Sequence, residues 1–415
     1  MPDRRLPLRP DLDQLKHQAK ELLRALREGD PSAAAEFKKH HPRTVAPPKV
    51  KLADAQLVLA RSYEAPSWPR LVQACSLIDA IWRDDIGAVR DLVSKNPHLL
   101  REETTIRKSH WGPPMTYAAN LGRDRIITLL REMGATDLKS ALGRAALQGH
   151  IDTARKLHAM LGSPRPPANA LLGSAENLSA SGTALMLELG AQARDENGKQ
   201  LAPVDMVLET YSRNPSGKHQ ILELYVQNGI ELPDTPPMAV HRGRIDLLEA
   251  HLRRDPALLR RTFTHEEIYP PALGCHNDEL ALGTALAGTT LLHMCVEYDE
   301  MEIAQWLLVH GMDVNAKASV DVGGFGGYTA LFNCVVSYPN LYGNRSGSMQ
   351  GAPFARLLLD RGADPNVRAS LRTQLERSRH EYRDVTPISF GERFHNRIFV
   401  SEPAMRMIAE QGGHA

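Results

Sequence analysis

Apolar residues along this chain recur in short paired blocks, each pair punctuated by glycine. In residues 288–316, Leu291, Leu292 and Cys295 form one stripe at helical spacing, and Ile303, Ala304, Leu307 and Leu308 form another. Gly311 follows the second stripe and supplies the left-handed residue that closes a helix. The spacing predicts two short helices. Such a pair cannot cover its own apolar surface and must stack on a neighbour, so copies of it are expected.

The copies are present. Gly327-Tyr328-Thr329-Ala330-Leu331-Phe332 repeats the opening 39 residues after Gly288, and residues 354–366 carry its second helix and exit. An insert at 337–351, rich in Gly and Ser, delays that second helix and reads as a loop. Thr386-Pro387-Ile388 opens a last pair, closed by a helix over 404–412. Upstream, residues 114–135 and 141–161 are further units, and 169–191 and 204–229 are weaker ones. Residues 84–100 and 243–259 align without a gap at an offset of 159, with Pro97 on Pro256 and Leu99-Leu100 on Leu258-Leu259.

Gly288, Thr290, Leu292 and His293 stand where the ankyrin opening G-x-T-P-L-H has Gly, Thr, Leu and His, with Leu291 in place of the proline. Met312-Asp313-Val314-Asn315-Ala316 resembles the A-D-V-N-A that starts the next hairpin. The chain therefore resembles the ankyrin repeat family. The resemblance implies an all-α ankyrin-repeat solenoid of helix pairs with β-hairpin or loop fingers, in roughly nine units from about residue 76. It also implies that His293 is structural, its imidazole bonding backbone.

Residues 1–75 do not fit the repeat and read as a helical N-terminal cap. Asp11 caps a first helix with Leu12, Leu15, Ala19, Leu22, Leu23 and Leu26 on one face. Gly29-Asp30-Pro31 ends it, 32–40 and 52–63 are two more helices, and Ala65-Pro66-Ser67-Trp68-Pro69 turns into the array. This resembles the leader of bacterial ankyrin-repeat proteins. The expected organisation is a cap over 1–75 and an array over 76–415, its halves being 76–235 and 236–415.

Composition narrows the function. Over 415 residues the net charge is +1, which gives no general attraction to nucleic acid or membrane. The cap is locally basic, with 12 Lys/Arg against 7 Asp/Glu over residues 1–51, but Phe37 is the one aromatic residue among those charges, short of the interleaving that a nucleic-acid surface would require. No apolar run reaches a membrane span, and the N-terminus lacks a signal-peptide core. A cytoplasmic protein is expected. The four cysteines form no C-x-x-C pair, so neither a disulfide framework nor a metal pair is expected.

The two halves differ. Of 22 aromatic residues, 14 follow residue 260; ankyrin helices pack with smaller side chains, so these rings are expected to line loops or a groove. Residues 262–330 hold ten carboxylates against Lys317 alone, net −9. Connectors are long at 262–283, 317–327, 337–351 and 371–385, and long loops in a compact array are usually functional. The first half shows nothing that suggests chemistry.

The candidate binding residues are accordingly His265, Glu267, Tyr269, His276, Asp278, Glu279, Asp313, Asp321, Phe325, Tyr328, Arg379, His380 and Arg383. His265-Glu266-Glu267 with His276 has metal-ligand residue types but not the H-E-x-x-H spacing, so no metal and no cofactor is assigned. The leading expectation is a binding module whose partner is a protein or peptide. The alternative is a hydrolase-like enzyme or small-ligand receptor, carbohydrate-directed, in which two of Glu267, Asp278, Glu297, Asp299, Asp313 and Asp321 flank a polar ligand. No catalytic residue is assigned.

Overall fold

A computed structural model describes residues 4–276, 282–346, 351–375 and 378–415. The chain divides into two compact units, Met1–Arg165 and Pro166–Ala415.

In the first unit the basic leader folds as expected. Asp11 accepts hydrogen bonds from the Asp13 and Gln14 amides and starts the helix Leu12–Arg27. Asp30 caps Pro31–His40, and Leu52–Ser62 follows. The long helix Trp68–Trp82 begins at Ser67, which caps Arg70, and runs further than the sequence suggests. Leu15 and Ala19 of the first helix pack on Leu59, Tyr63, Leu71 and Cys75, and Ile106 packs against the same cluster. Residues 1–75 also meet the following helices through polar groups: Tyr117 Oη donates to the Leu8 carbonyl and accepts from Trp82 Nε1 at 2.8 Å, and Arg9 lies over the Trp82 ring. The helix pairs Pro114–Asn120/Asp124–Glu132 and Leu138–Leu147/Ile151–Met160 complete the unit.

The second unit is a series of helix pairs. Leu291–Tyr298 and Met301–Val309 form the pair that the sequence marks most clearly, and Gly311 (φ 93°) ends it. Ala330–Val335 pairs with Pro353–Asp360, and Pro387–Arg393 with Glu402–Glu410. The 159-residue offset survives in detail: Ile86–Lys95 with Pro97–Leu100 in the first unit matches Ile245–Arg254 with Pro256–Arg260 in the second. Cys295, Leu292, Leu307, Leu331 and Phe332 belong to one continuous core. All four cysteines are buried free thiols.

Three expectations change. The insert at 337–351 contains a helix, Tyr338–Ser346. Asn340 on it donates to the Cys334 and Val335 carbonyls, and Asn344 to those of Ile398 and Val400, so it is fastened to its neighbours. The connector at 371–385 lies in an antiparallel hairpin, β1 (Ala369–Leu375) and β2 (Ser378–Val385), with Thr373 opposite His380. The aromatic excess mostly fills the core. Phe332, Tyr382, Phe390, Phe394 and Phe399 are buried and pack together, edge-on in the Tyr382–Phe390 pair at 5.1 Å and 81° and stacked in the Tyr382–Phe394 pair at 5.6 Å and 19°.

The acidic surplus is partly internal. Glu297 and Glu300 are buried, a position tolerable only if each charge is paired. Arg213, from the half that looked plain in sequence, donates to the Glu297 carboxylate and to its backbone carbonyl, both at 2.7 Å. Lys218 and His219 approach Glu300 at 2.9 and 2.8 Å. The Arg213 guanidinium also lies 5.2 Å from both the Tyr298 and Tyr338 rings.

Candidate functional site: a cleft at the fingers

Successive fingers of the second unit are laced by backbone hydrogen bonds. Phe263 N donates to Thr289 O, Ser319 N to Gly288 O, and Ala318 N to Tyr328 O; Gly326 N donates to Ser370 O at the edge of β1. The lacing demands close backbone approach. A Cβ on Gly326 (φ 129°) would stand 1.9 Å from the Ser319 carbonyl oxygen, so only glycine fits.

Between these fingers lies a cleft of about 300 Å³. Its floor is small, with Ala285, Ala287, Gly288, Ser319 and Ser370; Phe263, Phe325, Tyr328 and Leu371 are its apolar walls; Thr262, Thr264, His265, Asp321 and Arg372 supply polarity.

The finger 317–327 is held rigidly. Asp321 Oδ1 accepts from the Gly323 and Phe325 amides at 2.7 and 3.0 Å, while Asp321 N donates to Phe325 O. The Arg372 guanidinium closes on the other carboxylate oxygen at 2.5 Å. Those amide bonds, chiefly that of Phe325, together with Arg372 hold the Asp321 carboxyl below the usual carboxylate range. Phe325 is gripped by two cations, with Arg372 at 5.0 Å and Arg383 at 4.3 Å from its ring centroid. Beyond this clasp, Val320 is 63% and Val322 111% exposed. Val320 also lines the cleft.

The sequence-derived candidates separate into groups. His265, Asp321, Phe325 and Tyr328 line the cleft, and Arg383 reaches its edge through Phe325. Tyr328 Oη donates to Ala285 O at 2.8 Å, and burial pushes its phenol up. His265 Nε2 meets the His276 carbonyl at 2.9 Å. Glu267 turns back to cap Thr264 and pairs with Arg261. Tyr269 goes inward, against Tyr298. His276 pairs with Glu209 at 2.8 Å, which raises its pKa. Asp313 accepts from the Asn315 amide in a turn, Arg379 is exposed on β2, and His380 stacks on His395 at 3.8 Å. Asp278 and Glu279 lie outside the described residues. Arg372 was not singled out in sequence. Only its meeting with Asp321, 51 positions earlier, marks it.

Among the described residues the cleft is lined by one carboxylate, Asp321, and no group of three metal-ligating side chains is found. No helix among the described residues is long and apolar enough to cross a membrane.

The ankyrin repeat family model matches residues 287–319. That match falls on the helix pair Leu291–Tyr298/Met301–Val309, so the chain carries an ankyrin repeat within a mostly helical fold. A solved structure, the human ASB11 ankyrin repeat domain, aligns over 73% of this chain and 99% of its own length, at 15% identity and a TM-score of 0.27. A comparison with curated proteins found no match.

Proposed function

We propose that this protein is a binding module that engages a protein or peptide partner at the fingers of its second unit. Ankyrin repeats are in general interaction modules. The observation that carries the reading here is the clasped finger 317–327, which holds Val320 and Val322 in solvent beside the cleft. A tip fixed by Asp321, Arg372 and Phe325 gives up little further conformational entropy when it is covered, so its two valines act as preorganised apolar anchors. The Arg372–Phe325–Arg383 stack supplies a polar rim. A two-carboxylate hydrolytic centre has less support: Asp321 is committed to its own loop and Arg372, and Glu297 is buried against Arg213.

A photoreactive amino acid at position 322 of the full-length protein, compared with one at exposed Lys139, tests this. Crosslinked species specific to position 322 should be lost when Val320→Asp is added, with an unchanged melting temperature. Equal crosslinking from both positions, or species that survive Val320→Asp, would remove the finger as the docking element.

A further inference from the structure

At the opposite ends of the same helices lies a second cleft, of about 390 Å³, whose lining includes Arg213, Asp299, Asn340, Tyr342 and Phe354. It exists because of the insert, since the helix Tyr338–Ser346 contributes one wall. Asp299 follows the helix Leu291–Tyr298 and adopts a left-handed conformation, φ 60°. Three corresponding turns use glycine for that conformation: Gly122 (64°), Gly149 (75°) and Gly243 (66°). Leu178 and Asp84 also depart from glycine, so the turn alone does not mark a site.

What sets Asp299 apart is its charge and its place at the cleft. Three carboxylates, at 297, 299 and 300, meet Arg213 and Lys218, and burial lowers the pKa of Lys218. Glu297 takes Arg213, and Glu300 takes Lys218 and His219. Asp299 has no hydrogen bond or ion pair from its side chain among the described residues. Asp299 is exposed, yet the surrounding protein and the Glu300 carboxylate raise its pKa, against the opposing pull of Arg213 and Lys218. The closing turn of the preceding helix also points its negative end here. Tyr342, 43% exposed, and Phe354 give the cleft aromatic surface, which suits a cation.

We propose that this cleft binds an organic cation, an ammonium or guanidinium on an alkyl arm, with Asp299 as its counter-ion. The inference is independent of the finger reading, because it concerns other residues at the other ends of the helices.

Amide NMR of the full-length protein tests it with three probes: cadaverine, the peptide acetyl-Gly-Lys-Gly-amide, and the same peptide with norleucine in place of lysine. Saturable shifts at Asp299, Glu300 and Tyr342 are expected from a cationic probe and not from the norleucine peptide. Asp299→Asn, which keeps a residue that tolerates the left-handed turn, should weaken the affinity about tenfold or more. Response to cadaverine alone points to a free amine, and response to the lysine peptide alone points to a side chain of a polypeptide. Asp299→Gly should also lose binding while keeping its melting temperature, which separates the carboxylate from the turn. No saturable shift from either cation, equal response to norleucine, or unchanged affinity in Asp299→Asn would overturn the proposal.

Discussion

The helix pairs opened by Gly288 and by Gly327 are built on the same pattern, 39 positions apart, yet their interiors are held differently. In the first, His293 is fully buried and accepts from Thr290 at Nδ1 (Thr290 Oγ1 at 2.9 Å), while its Nε2–H donates to the Tyr328 carbonyl at 3.1 Å. Four residues on, Glu297 is pinned by Arg213. In the second, the corresponding positions hold Phe332 and Val336, both at 0% exposure. Phe332 packs on Phe390 at 6.0 Å, the rings tilted by 45°. The exchange leaves Thr329 Oγ1 and both amide atoms of buried Asn333 without a hydrogen-bond partner. One pair is locked by directional polar bonds and the other by ring packing. The backbone pattern tolerates both, because the repeat requires only that the faces between units be filled.

The difference predicts different failures. The largest effect is expected at Arg213. Arg213→Met leaves the buried Glu297 carboxylate uncompensated, and removal of one partner of a buried pair costs about 3–5 kcal/mol. The double change Arg213→Met/Glu297→Gln should recover much of that loss, since it removes both charges. Urea unfolding of the single and double variants measures both steps. Equal destabilisation by the two would show that Arg213 acts through packing on Tyr298 and Tyr338 and not through its charge.

The second effect is a pH dependence confined to the polar pair. Burial holds His293 neutral, its pKa lowered to about 4. In the unfolded chain the imidazole titrates near its ordinary value of about 6.5. Between these values the unfolded state binds more protons, so stability is full above about pH 6.5 and falls as pH drops toward 4, by up to about 3 kcal/mol. Buried His241 acts in the same direction. Hydrogen exchange should therefore show the Leu291–Tyr298 helix losing protection on acidification, and His293→Phe should reduce the slope. The same slope in wild type and His293→Phe would assign the acid sensitivity elsewhere.

How much of this was legible beforehand follows from the same contrast. The helix pairs were readable because glycine turns and apolar spacing are local. His293 could be placed through its motif. Arg213 could not be read, because nothing near it in sequence shows the Glu297 that needs it, 84 positions later. The finger clasp has the same difficulty: Asp321 and Phe325 stand out as loop residues, but Arg372 gains meaning only when β1 is laid beside Gly326. The aromatic surplus misled for a physical reason. Composition reports how many rings there are and not which way they face, and here most face the core.

The smallest effect is the sharpest test of the comparison, because the same substitution should act in opposite directions at equivalent positions. Thr290→Val removes the hydroxyl that meets His293 Nδ1 inside a fully buried site. Stranding a buried polar group costs about 1–3 kcal/mol. The Thr290 backbone amide approaches the same nitrogen at 3.4 Å and offsets part of that, so a loss near the lower end is expected. Thr329→Val deletes a hydroxyl that already lacks a partner and substitutes a methyl group of similar size. Its desolvation cost then disappears without breaking a bond, so the change should be neutral or stabilising by up to about 1 kcal/mol. Thermal and urea unfolding of the two single variants reads the signs directly. If Thr329→Val destabilises as much as Thr290→Val, the hydroxyl at 329 has a partner such as an internal water, and the second helix pair is polar-locked like the first.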